Sequence, residues 1–187
     1  MRRATALGVV AAFLLGGLVA ALAWFGLPQR ETATAPRPAW TEMAWPFPMD
    51  QWGKGKAFRC KAADCGTEVN LYIRAKLGFC NCTTGVADDE ELDRISDYDL
   101  LGNQLSALGP GREIKIAWMK GRSRAFTIGG PQRPGKSALS VGFNDRCDAI
   151  VATVVLADER PQAMEVDVIA FLNGSTVLRW AEVTLGL

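Results

Sequence analysis

The chain has 187 residues, room for one ordinary domain and an appendage, and its 49% apolar content suffices to bury a core. Net charge is +1, and without Arg2 and Arg3 acids and bases nearly balance, which excludes a strongly basic nucleic-acid-binding surface. There is no histidine, which removes Ser-His and Cys-His nucleophile pairs, haem ligation by histidine, and histidine-containing zinc or copper sites.

From Ala4 to Leu27 no side chain carries a charge. A run of 24 such residues is long enough to cross a bilayer's hydrocarbon core as a helix. Arg2 and Arg3 favour an amino terminus left in the cytoplasm, which sends the rest of the chain across the membrane. Ala21-Leu22-Ala23 resembles a signal-peptide cleavage site, but the bulky Trp24 and Phe25 follow it. Residues 1–27 therefore read as a retained transmembrane signal-anchor, with residues 4–27 in contact with inner-membrane lipid.

Residues 28–50 carry Pro28, Pro36, Pro38, Pro46 and Pro48 and read as an extended spacer. The end of this stretch is too aromatic for a plain linker. Trp45, Phe47 and Trp52 either cover the edge of the following domain or dock a partner, as proline-rich aromatic segments do.

Residues 51–187 read as the exported globular domain. Lys56–Lys61 is a short strand, followed by a turn over Ala62–Gly66. Val69, Leu71, Ile73, Ala75, Leu77 and Phe79 then alternate with Asn70, Tyr72, Arg74 and Lys76, the period of a strand with one face buried and one solvated. Thr83 or Thr84 is expected to cap a helix whose first turns hold Asp88, Asp89, Glu90, Glu91 and Asp93, acids suited to the positive end of a helix dipole. Residues 113–119 and 124–128 read as a hairpin turning at Lys120-Gly121, and residues 139–143 as a strand leading to a turn at residues 144–146. The apolar run Ile150–Leu156 reads as a central strand. Pro161 suits a first helical turn, so residues 162–172 read as a helix, and Thr176–Leu185 as a last strand. The order is β-β-α-β-β-β-β-α-β: an α+β domain with a mainly antiparallel sheet and two helices, preceded by one N-terminal transmembrane helix.

Export makes disulfides the default state for Cys60, Cys65, Cys80, Cys82 and Cys147. The spacing suggests a Cys60–Cys65 staple, with Cys147 able to pair with Cys80 or Cys82 and one thiol left over. A four-thiolate metal site is disfavoured because the intervening strand, about 33 Å for ten residues, separates the two pairs. Cys80 and Cys82, just before the acidic helix, are the candidates for a redox or metal-binding thiol. Residues 112–136 are locally basic, and Lys120, Arg122 and Arg124 are the candidates for contact with an anionic surface.

No catalytic constellation, cofactor motif or metal site is visible, and the balance leans away from an enzyme. The expected protein is a single-pass protein of a bacterial inner membrane with its C-terminal domain in the periplasm. It would act there as a non-catalytic accessory or binding module for a membrane or periplasmic protein partner. The alternative is a thiol-redox or thiolate metal-binding protein centred on Cys80 and Cys82.

Overall fold

The computed structural model describes residues 38–102, 105–129, 136–157 and 160–187. The expected anchor at 4–27 and residues 28–37 of the expected spacer lie outside the described residues. Among those described, no helix is long and apolar enough to cross a membrane.

The protein is an α+β fold built on one antiparallel sheet. Its strands are β1 (Trp40–Met43), β2 (Lys56–Cys60), β3 (Val69–Lys76), β4 (Leu105–Ala107), β5 (Arg112–Ile116), β6 (Met119–Ile128), β7 (Lys136–Asp145) and β8 (Asp148–Leu156). They run in the order β1-β2-β3-β8-β7-β6-β4, with β5 also paired to β6. The helices are α1 (Ala62–Cys65), α2 (Asp89–Ile95), α3 (Pro161–Leu172) and α4 (Ser175–Leu185), with a 3-10 turn at Tyr98–Leu100.

The run Ile150–Leu156 lies in β8, between β3 and β7, where it is largely buried. On one face of the sheet, Leu71, Ile73, Val154, Val141 and Phe143 meet Met164, Val168 and Leu172 of α3 and Val177 and Ala181 of α4. On the other face, α2 and the segments around it cover Ala149 and Val151 with Val86, Leu92 and Ile95. Helices on both faces leave neither open to water along the central strands.

Several elements differ from the sequence expectation, each for a physical reason. Thr176–Leu185 lies in a helix rather than a strand. Its β-branched residues suit a strand, but Val177, Ala181 and Leu185 repeat every four residues and face the core together. The sheet begins inside the stretch read as spacer, because β1 pairs with β2 and Trp40 stacks on Phe171 at 4.9 Å. The second hairpin turns at Ala117-Trp118, with Ala117 at φ 51°, and not at Lys120-Gly121. Gly121 is needed within the strand, since a Cβ there would meet the Gly142 carbonyl oxygen at 2.2 Å. The β7–β8 turn likewise falls at Arg146-Cys147, with Arg146 at φ 52°. Helix α2 is capped by Asp88, whose Oδ1 accepts from the Glu91 N–H at 2.8 Å, and not by Thr83 or Thr84. The N–H groups of those threonines donate to Asn81 Oδ1 in a turn of their own.

Candidate functional site

The polar side of β3, which its alternation suggested would face water, is covered. Arg74 and Lys76 are buried, at 1% and 4% exposure. Arg74 grips Asp97 with two parallel bonds, Nε to Oδ2 at 3.0 Å and Nη2 to Oδ1 at 2.6 Å, and Lys76 Nζ reaches the same Oδ1 at 2.8 Å. Asp97 is itself 2% exposed, so one carboxylate serves two buried cations. Asp50 supplies a second carboxylate to Arg74 from the rim. Burial works against the Arg74 charge, but Asp97 and Asp50 outweigh it and hold its pKa above the ordinary value. Asp50 is held below its usual range, the bonds from Arg74 and the Trp52 N–H outweighing its partial burial.

This ion cluster positions the aromatic segment. Trp45 packs edge-on against Phe47 at 5.3 Å and Tyr72 at 6.2 Å and lies 5.8 Å from the Arg74 guanidinium. Trp52 packs on Phe79 at 4.6 Å, with the Lys76 ammonium 5.2 Å from its ring. Trp45, Phe47 and Trp52 thus spend much of their surface on the domain itself, Phe47 and Trp45 on Tyr72 and Trp52 on Phe79.

The cysteines divide into two bridges and one thiol. Cys60 pairs with Cys65 across α1, and Cys82 pairs with Cys147. These two disulfides place the domain in an oxidising, extracytoplasmic compartment. Cys80 remains a thiol, buried, donating to the Arg146 carbonyl oxygen at 3.2 Å. Burial first, then the nearby carboxylates of Glu91 and Asp148, push its pKa up to about 11. A nucleophilic or metal-binding cysteine needs an accessible thiolate, and Cys80 has neither access nor a lowered pKa. Among the described residues no three Cys, Asp or Glu side chains gather as a metal site.

The acids of α2, which looked like a solvated helix start, are turned partly to the sheet. Asp89 bonds Arg122 and accepts from the Gly111 N–H at 3.0 Å, while Asp93 pairs with Arg124 Nη1 at 2.7 Å. Arg122 chiefly, with Arg124 assisting, holds the Asp89 carboxyl below its usual range against partial burial. Of the three residues expected to meet an anionic surface, Arg122 and Arg124 are engaged inside the domain and Lys120 is exposed.

The feature that sequence reasoning missed is the tip of the β5–β6 hairpin. Trp118 stands there at 51% exposure, although tryptophan beside a small core usually packs inward. The register sets Lys115 directly opposite Lys120. A cavity of about 570 Å³ lies on this hairpin, bounded by Thr84 and Val86 on one side and Glu113, Lys115, Trp118 and Lys120 on the other. The signal in the sequence was Trp118 between Lys115 and Lys120; misplacing the turn by three residues concealed it.

No protein-family model matches the chain, and no curated protein or solved structure matches it either. The function is therefore read from its own residues.

Proposed function

We propose that the protein is a non-catalytic binding module, tethered by residues 4–27 to a bacterial inner membrane and displaying its folded domain in the periplasm to a protein partner. The two disulfides carry this reading: they belong to an oxidising compartment and follow an uncharged run of membrane-spanning length. Residues 28–39 join that run to β1, and twelve residues of proline-rich chain reach at most about 40 Å. Among the described residues Arg74, Lys76 and Asp97 are engaged with each other, Glu165 is engaged with Arg112 and Ser123, and the remaining thiol is buried with a raised pKa, which supports binding over catalysis.

Alkaline carbonate extraction and protease accessibility test the reading together. The full chain is expected to stay in the membrane pellet and to lose its carboxy-terminal domain to protease added to spheroplasts. Release into the carbonate supernatant, or protection of the domain in intact spheroplasts, would overturn it.

A further inference from the structure

We propose that the cleft at the β5–β6 hairpin tip binds an acidic segment of a protein partner, with Lys115 and Lys120 taking its carboxylates and Trp118 an apolar side chain beside them. This deepens the binding-module reading and rests on it. The charge pattern comes first. Lys115 and Lys120 face each other in register, both exposed, and neither has an ion-pair partner among the described residues. Directly opposed like charges weaken a strand pair. Two and four residues further along β6 the same sheet face shows the alternative, since Arg122 and Arg124 have acids from α2 set against them. The domain supplies counter-charges there and leaves the lysine pair without one.

Shape and rigidity come next. The cavity of about 570 Å³ falls in the size range of clefts that enclose a ligand. A bilayer surface cannot enter a cleft, whereas a side chain of an extended peptide can. The tip is held in place by Asn173, whose Oδ1 accepts from the Ala117 N–H at 2.7 Å while its Nδ2 donates to the Ile169 carbonyl oxygen at 2.9 Å. That bond fixes the turn that carries Trp118, so little ordering remains to be done on binding. Glu113 lines the same cleft and repels a uniformly acidic chain. The occupant is therefore mixed, a carboxylate next to an aromatic or aliphatic residue.

Trp40 enters the sheet opposite Cys60, which pairs with Val69, at one end of β3. Lys76, at the other end, shares a row with Ala149, Asn144 and Lys120. The hairpin tip thus lies at the end of the sheet remote from where the chain enters it.

The test uses the full chain in lipid nanodiscs with nitrogen-15-labelled tryptophan, the Trp118 indole resonance being assigned with W118F. The probes are a capped peptide of sequence Asp-Phe-Asp-Leu-Asp, its Lys-Phe-Lys-Leu-Lys counterpart, and nanodiscs with or without phosphatidylglycerol. The acidic peptide is expected to shift the Trp118 resonance saturably, and the basic one to leave it in place. K120E should weaken binding about tenfold or more, the loss of at least one charge-assisted contact, while raising the thermal midpoint by relieving the Lys115 repulsion. An unmoved Trp118 resonance, or unchanged affinity in K120E, overturns the proposal. A shift produced by phosphatidylglycerol alone overturns it too, in favour of a lipid contact. Either failure leaves the tethering reading standing, because carbonate extraction reads the anchor and not the cleft.

Discussion

Under α3 and α4, strand β3 presents Leu71 and Ile73 to a continuous apolar core; on its other face the same strand presents Arg74 and Lys76 to Asp97. Both faces are buried, and they are stabilised by different means. The apolar face gains from area removed from water, a non-directional effect that tolerates small shifts. The charged face gains only if each cation finds its carboxylate in good geometry, because desolvating an ion costs several kcal/mol that attraction must return. One face is forgiving and the other is all-or-none.

Removing Asp97 should break the comparison most sharply. D97A leaves buried Lys76 without its carboxylate and Arg74 with Asp50 alone, and a loss of about 3–5 kcal/mol is expected in urea unfolding. The triple variant R74M/K76M/D97L, which removes the ions together, should recover most of it; equal losses in both variants would show that shape rather than charge holds this face. Next in size is the covalent tie of the charged layer, Cys82–Cys147, which spans 65 residues. C82S/C147S should cost about 4 kcal/mol and C60S/C65S about 2, as the closed loops differ in length. On the apolar face L172A should cost about 3 kcal/mol, by lost transfer energy and the cavity left behind.

Much of the apolar face was legible in the sequence, because Leu71, Ile73 and Val141 alternate as strands do and Met164, Val168 and Leu172 fall at helical spacing. The charged face was not. Arg74 and Lys76 looked like the solvated side of a half-buried strand, since their counter-ion Asp97 lies 23 residues from Arg74 and only the fold joins them. The same distance effect concealed the pairing of Asp89 with Arg122, so an internal lattice read as two exposed charge runs. Trp40–Met43 was hidden among prolines, where a four-residue edge strand has no period to show. The candidate cleft needed the position of one turn: with Ala117-Trp118 at the tip, Lys115 and Lys120 become a facing pair.

Two pH effects separate the faces further, and both are smaller. Asp50, Asp89 and Glu91 are held below their ordinary values, Glu91 chiefly by its hydrogen bond from Arg94. Their contribution is full above the unfolded pKa values, about 4, and is lost as pH falls through the folded ones. Hydrogen exchange at acid pH should therefore rise in α2 and in residues 45–52 before it rises in α3 and α4. Cys80 has the opposite sign. Its folded pKa is raised from the ordinary 9.0 to about 11, so stability is full below pH 9 and is lost as pH rises towards 11. The native thiol should accordingly resist iodoacetamide at pH 8 and react only once the domain is unfolded.

The extracytoplasmic, disulfide-stapled domain is tested most directly by counting thiols in the protein as cells make it. Acid-trapped, denatured and alkylated without reduction, the full chain should take up one maleimide, mapped to Cys80, and five after reduction. Five before reduction would mean that no bridge forms in the cell, and the account of a domain held in an oxidising compartment would be wrong.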